Sequence, residues 1–352
     1  MEHLVNDLMH CRLQEWSFPA GIEARWLGEG ILQLLPTAPW RQATILSAGV
    51  HGNETAPTEL LLQLTHDLSQ GRQPLTQALL IVFGNLPAIR AARRYLHNDL
   101  NRLFGGRHLA VTPGNESRRA FALEQAVQAF YRAADAAGPV NRSHLDMHTA
   151  IRGSLYRQFA LLPAHAGDFS PGFYQLLQAS GMDAVVRHTE AGGTFTHFTC
   201  EKFAAQSATL ELGKVMPFGA NDLSLFAATD AAIRAWIADA PLPARDKAPV
   251  DYFLVEESII KREGEFTLNL AANVENFTAL PVGYEIARQA EKRWVVQARA
   301  PYILFPNAGV ATGQRAGRPQ GAASGEPARE KRPGAKSGTG GGKSGRNSTA
   351  EP

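Results

Sequence analysis

Through the first two thirds of the chain, short apolar runs alternate with longer stretches of helical periodicity, and that alternation restricts the fold more than any other feature. The runs Ala43 to Val50, Ala78 to Phe83, Leu145 to His148, Gln158 to Leu162, Met182 to His188 and Ala208 to Leu212 read as strands. Helical patterns fall at Thr58 to Ser69, Arg118 to Ala136, Gly172 to Ala179 and Leu223 to Ala238. Strands that are apolar throughout are buried on both faces, and helices between them carry the chain back across the sheet. The expected class is therefore α/β, with a mainly parallel (mixed) sheet flanked by helices.

The pattern changes after Pro241-Leu-Pro-Ala-Arg-Asp-Lys-Ala-Pro249, whose three prolines mark a linker. Beyond it, Tyr252 to Ile260, Phe266 to Leu270, Glu285 to Ala287 and Trp294 to Ala298 read as short strands, with Gly264 and Gly283 as turns. We expect an α/β domain over residues 1–245, a small β-rich domain over 246–312 and a disordered tail over 313–352. The tail is built from Gly, Ser, Pro, Ala and charged residues, with no aromatic or branched aliphatic side chain after Thr312 to form a core. Its Ser337-Gly-Thr-Gly-Gly-Gly-Lys-Ser344 imitates a phosphate-binding loop but lacks the first glycine, the preceding strand and the following helix.

From Gly313 to Pro352 there are eight Lys or Arg against three Glu, so within a net charge of +2 the rest of the chain is mildly acidic. A specific nucleic-acid partner is not indicated by that balance. Two cysteines, Cys11 and Cys200, are too few for a disulfide framework and too far apart for a Cys-x-x-Cys site. The acidic start Met1-Glu-His-Leu-Val-Asn-Asp7 does not suit a signal peptide, and no stretch is long and apolar enough for a membrane span. The expectation is a cytoplasmic enzyme without a membrane partner, and a homo-oligomer is left open.

Chemistry concentrates at four places. His51-Gly-Asn-Glu54 follows directly on the first apolar run and precedes a helix with Pro57 near its first turn, the kind of strand-to-helix junction where open α/β sheets hold ligands. A histidine and a carboxylate there suit a divalent cation, and zinc needs one more protein ligand to leave a position for water. His148 is the candidate, with Asp146 projecting from the same strand face to support it. Glu211, inside the apolar strand Thr209-Leu-Glu-Leu-Gly213, needs a cation, a hydrogen-bond partner or a raised pKa; both a general base and a partner for a nearby arginine satisfy that requirement. Arg93-Arg94-Tyr-Leu-His-Asn-Asp-Leu-Asn101-Arg102 is the densest polar segment and suits an anionic substrate, because a guanidinium grips a carboxylate through paired hydrogen bonds.

In order and spacing, His51-Gly-Asn-Glu54, Asp99-Leu-Asn-Arg102, Asp146-Met-His148 and Thr209-Leu-Glu-Leu-Gly213 resemble the succinylglutamate desuccinylase and aspartoacylase family, which is related to zinc carboxypeptidases. The resemblance covers about residues 40 to 240. It implies one Zn2+ held by His51, Glu54 and His148, with Glu211 as general base and Arg94 polarising the scissile carbonyl. Asn101 and Arg102 would hold a substrate carboxylate, and a C-terminal β-domain would shape access. Arg152 is our own additional candidate for a carboxylate contact. The implied partner is a small, multiply anionic acyl-amino acid, and His148-Thr-Ala-Ile-Arg-Gly-Ser154 leans toward the desuccinylase branch. An aspartoacylase-like deacylase, a carboxypeptidase and a noncatalytic zinc or anion binder remain as rivals.

Overall fold

The computed structural model describes residues 1–150, 152–165, 167–262, 265–310 and 312–323. In chain order, the first part comprises α1 (Glu2–Met9), β1 (Ile22–Gly28), β2 (Ile31–Pro36), β3 (Gln42–Ala48), α2 (Thr55–Ser69), β4 (Ala78–Phe83), α3 (Leu86–Arg90), α4 (Asn115–Ala136) and β5 (Asn141–Ala150). It continues with β6 (Phe159–Leu162), α5 (Pro171–Ala179), β7 (Ala184–Arg187), α6 (Phe195–Phe203), β8 (Gln206–Lys214) and α7 (Ala227–Ile237). After the proline-rich stretch come β9 (Asp251–Val255), β10 (Ile259–Ile260), β11 (Phe266–Leu268), β12 (Thr278–Ala279), β13 (Glu285–Gln289), β14 (Lys292–Val295), β15 (Tyr302–Leu304) and β16 (Arg315–Ala322).

The centre of the sheet is parallel: β4, β3, β5 and β8 lie side by side, all in one direction. β6 joins β8 antiparallel, and β7 and β9 then continue parallel to β6. Each central strand sends alternate residues to opposite faces, as a pleated strand must. In β4, Leu79, Ile81 and Phe83 enter the core under α1, α2, α5 and α7, while Ala78, Leu80 and Val82 enter the one under α4 and α6. A strand buried on both sides needs apolar residues at every position, which is why these segments stand out as continuous apolar runs.

Two regions depart from expectation. β5 runs from Asn141 rather than Leu145, because Ser143, His144 and Asp146 are polar yet fully enclosed. The strand rests on side-chain hydrogen bonds where an apolar residue would rest on packing.

The second departure is a correction: the fold does not end at residue 312. Arg315–Ala322 form β16, which pairs with β9, β10 and β15 and so ties the C-terminal strands to the main sheet. The resulting 13-stranded sheet crosses the expected boundary near residue 245 without a break. β16 holds glycines, a proline and two arginines in place of branched aliphatics, so side-chain pattern does not announce it; main-chain pairing on both flanks forms it. The remainder of the expected tail, residues 324–352, lies outside the described residues. Among the described residues, no helix is long and apolar enough to cross a membrane.

Gly321 shows how closely β16 is held, since a Cβ there would lie 1.6 Å from the Arg299 carbonyl oxygen. Gly321→Ala is expected to destabilise the protein by about 1–3 kcal/mol. Thermal unfolding checks this, and an unchanged melting temperature would mean that the strand is not packed as described.

Candidate metal centre

The ends of three parallel strands and the start of one helix supply the site. After β3 the chain turns through His51-Gly-Asn to Glu54, the residue that precedes α2. This turn requires glycine at its second position: a Cβ on Gly52 would meet the carbonyl carbon of Ala88 at 2.2 Å and the amide nitrogen of Ile89 at 2.3 Å. Backbone thus packs directly on backbone, and the Gly52 N–H donates to the Arg94 carbonyl at 3.0 Å. β5 brings His148, and β8 sets Glu211 directly opposite it in the ladder.

Glu54 stands between two imidazoles. Its Oε1 lies 2.8 Å from His51 Nδ1, and its Oε2 lies 2.9 Å from His148 Nδ1 while also accepting the Thr149 N–H at 3.1 Å. The Nε2 atom of each ring faces away toward a further carboxylate: His51 toward Asp99 Oδ1 at 3.0 Å and His148 toward Asp146 Oδ2 at 2.8 Å. Both rings therefore present Nδ1 to the centre. A histidine ligand is ordinarily oriented in this way, with its second nitrogen held by a carboxylate.

Behind Asp146 the polar chain continues into the sheet. Ser47 Oγ donates to Asp146 Oδ1 at 2.6 Å and lies 2.8 Å from His144 Nε2, and His144 Nδ1 is 2.9 Å from the Thr199 hydroxyl. These hydrogen bonds account for the polar enclosed face of β5.

His51, Glu54 and His148 are all buried, and one potential ligand atom from each lies within 4.8 Å of the others. Two imidazoles and one carboxylate suit zinc with a position left for solvent or substrate, so these residues fit the ion. The atoms that share protons in this geometry are the ones a divalent cation would take.

The electrostatics agree with that reading. Burial pushes the Glu54 carboxyl up, but the flanking His51 and His148 outweigh it and hold the group well below the usual carboxylate range. Asp99 is held down likewise, with His51, Arg102 and Arg94 overcoming burial. Among the described residues, Glu211 has no such neighbours at hydrogen-bond range. Burial pushes it up to about 7, with His148 opposing the rise and Glu54 adding to it. A carboxylate poised near neutrality beside this His–Glu–His cluster is suited to accept and return a proton.

A family model described as the succinylglutamate desuccinylase/aspartoacylase catalytic domain matches residues 41–237, and one described as the AstE/AspA barrel-sandwich hybrid domain matches residues 248–318. The chain belongs to the succinylglutamate desuccinylase/aspartoacylase family. Succinylglutamate desuccinylase of Photorhabdus laumondii is 49% identical over 86% of this chain and 93% of its own length. The enzyme of that name from Yersinia pestis is 46% identical over 83% of this chain and 88% of its own. Among solved structures, succinylglutamate desuccinylase of Chromobacterium violaceum is 37% identical with a TM-score of 0.76, covering 90% of this chain and 97% of its own. That of Vibrio parahaemolyticus is 30% identical with a TM-score of 0.79, covering 87% and 90%. The mixed sheet with flanking helices and the smaller β-rich unit is thus the architecture of this family.

Not every expected family residue reaches the centre. Arg94 does, donating from Nη1 to Glu54 Oε1 at 2.9 Å. Asn101 is buried behind the cluster, with its Oδ1 taken by the Phe195 N–H at 2.9 Å and its Nδ2 lying 3.5 Å from His148 Nε2. Only that Nδ2 group is left to donate elsewhere. Arg102 is exposed beside it, with Nη1 bonded to the Asn101 carbonyl at 2.8 Å.

Arg152 is not brought to the site. Its Nη1 donates to the carbonyls of Ala272 at 2.5 Å and Val274 at 3.1 Å, so it clamps the loop after β11 to the segment after β5. Adjacency in sequence to His148 misled here, because the chain leaves the strand between them.

Two positioning residues escaped the sequence reading. Asp99 lay within a quoted motif but had no role assigned. Glu116, wholly buried at the start of α4, accepts from the Leu96 N–H at 2.7 Å and from the His97 and Asn98 N–H groups at 3.4 Å. It fixes the loop that carries Arg94 and Asp99. Nothing in sequence marks it, since an acidic residue in a first helical turn is commonplace.

Asp99→Asn and Asp146→Asn should each weaken zinc affinity by about 10–100-fold. Competition against a chromogenic chelator checks this; unchanged affinity in both variants would mean that the ring-to-carboxylate contacts do not orient ligands.

Proposed function

We propose that the protein is a zinc-dependent amide hydrolase that cleaves N2-succinyl-L-glutamate to succinate and L-glutamate, the last step of arginine breakdown through succinylated intermediates. The observation that carries this reading is the convergence of His51, Glu54 and His148 around one point with Glu211 opposite His148 in the next strand. A 49% identical relative named succinylglutamate desuccinylase supports the choice of substrate.

When bound, zinc supplies a Lewis acid and lowers the pKa of water. His51, Glu54 and His148 hold it, while Asp99 and Asp146 keep both rings turned with Nδ1 inward. Glu211 takes the proton of the attacking water and returns it to the amide nitrogen as the carbon–nitrogen bond breaks. Arg94, already against Glu54, places a guanidinium where negative charge develops on the scissile carbonyl oxygen. Arg102, with Nδ2 of Asn101 beside it, holds the carboxylate of the amino-acid moiety.

Glu211→Gln is expected to lower kcat by about 10²–10⁴-fold with zinc still bound, as removal of a general base does. Arg102→Ala should instead raise KM by roughly tenfold or more at nearly constant kcat, the signature of lost uniform binding. Steady-state kinetics paired with metal analysis separates the two roles, and a Glu211→Gln enzyme as active as the wild type would remove the general-base assignment. Chelation should abolish succinylglutamate hydrolysis and zinc readdition restore it; metal-independent turnover would overturn the reading. Comparing N-succinylglutamate with N-acetylaspartate distinguishes it from an aspartoacylase.

A further inference from the structure

β16 carries two arginines, Arg315 and Arg318, that the mechanism above does not use. They are three residues apart, which in a regular strand would point them to opposite faces. The pairing with β10 is irregular: Ile259 faces Gly317 but Ile260 faces Arg315, so one extra residue of β16 is accommodated and the alternation resets. Arg318 is 9% exposed, with its guanidinium 5.3 Å from the centre of the Phe305 ring. The Nε atoms of both arginines are buried without a hydrogen-bond partner among the described residues. Among the described residues, the one carboxylate in ion-pair contact with either is Glu190, 3.8 Å from Arg315 Nη2 and itself half exposed.

More positive charge surrounds this pair. Arg102 and Arg107 both act on Arg315, and Arg102 also acts on Arg318. Arg107 Nη1 donates to the Gly192 carbonyl at 2.7 Å, and His197 Nε2 lies 3.3 Å from the Glu190 carbonyl oxygen, so the loop between β7 and α6 joins the Arg102 side of the site to the β16 side. Burial, with Arg318 and Arg315 adding to it, drives the enclosed His188 well below its usual range. Burial also brings His197 to about 4, despite its hydrogen bond with the Glu190 backbone. An imidazole is neutral or cationic, so neither ring offers these guanidinium groups a counter-charge. The acids that favour the charged form of Arg318 are Glu211 and Glu190, and Glu211 is the proposed base. A buried guanidinium Nε without an acceptor is costly, and two of them side by side, within electrostatic reach of Glu211 and of Arg102, suit an anion.

We propose that Arg315 and Arg318 form a second carboxylate pocket that receives the terminal carboxylate of a dicarboxylic acyl chain, so that the C-terminal strand selects a succinyl group over a neutral acyl group. This rests on the deacylase reading above. Arg102 serves the amino-acid end, and β16 serves the acyl end.

The test uses the full-length, zinc-loaded protein and the variants Arg315→Ala and Arg318→Leu, the latter keeping apolar bulk over Phe305. Each variant should raise KM for N-succinylglutamate by roughly tenfold or more with kcat nearly unchanged, and leave N-acetylglutamate kinetics as in the wild type, since only the succinyl substrate carries a carboxylate on its acyl chain. Equal losses on both substrates, or no change on either, would overturn the pocket. Calorimetric titration with succinate and with propionate gives a readout independent of turnover. Wild type should bind succinate more tightly, and both variants, if their melting temperatures stay close to that of the wild type, should lose the difference. Retention of the difference would sink the proposal whatever the kinetics. Failure of the wild type to cleave succinylglutamate would instead remove the functional reading, with the succinate-to-propionate comparison still deciding the pocket.

Discussion

One carboxylate shared between two imidazoles is the interaction on which the rest of the structure depends. Glu54 meets His51 on one oxygen and His148 on the other, and these residues come from segments almost a hundred positions apart. Burying three ionisable groups is unfavourable unless each is compensated, and compensation extends outward: Asp99 behind one ring, Asp146 behind the other, and Arg94 over Glu54. Each partner then needs its own support, supplied by Ser47 and His144 for Asp146 and by the Glu116-anchored loop for Asp99 and Arg94. The polar interior of β5 and the irregular segment between α3 and α4 both follow from this requirement.

Glu211 illustrates the opposite principle at the same site. It is buried like Glu54 and one strand away from His148, yet among the described residues it makes no hydrogen bond that would hold its proton off. Environment alone divides two glutamates of one site into a carboxylate held well below its usual range and one raised toward neutrality.

Much of the fold was legible because the central strands are apolar at every position, a pattern that burial on both faces imposes. β4 was read to the residue, and α2, α4 and α5 to within three residues at their starts. The convergence of His51, Glu54 and His148 was legible through residue chemistry, and the family through the order of separated motifs. What escaped lacks a periodic signal: β1 is a half-exposed edge strand with Glu23 and Arg25, α6 mixes polar and aromatic residues through a buried helix, and β16 is formed by main-chain pairing. Arg152 fails for a different reason. Nearness in sequence to a ligand says nothing about direction once the strand has ended, and its guanidinium is spent on the carbonyls of Ala272 and Val274.

The position of β16 between β9 and β15 has a further consequence for assembly. Every element bearing a proposed zinc ligand precedes it by more than 150 residues, so during synthesis the metal-ligating strands are available to collapse long before the segment that joins β9 to β15 emerges. The bridging strand arrives as an insertion between two waiting neighbours, with Gln320 to Ala322 paired to Val255 to Phe253 across 65 to 69 residues of chain. Pairing of β16 is thus a late, non-local step, after the half that carries His51, Glu54 and His148 has been synthesised.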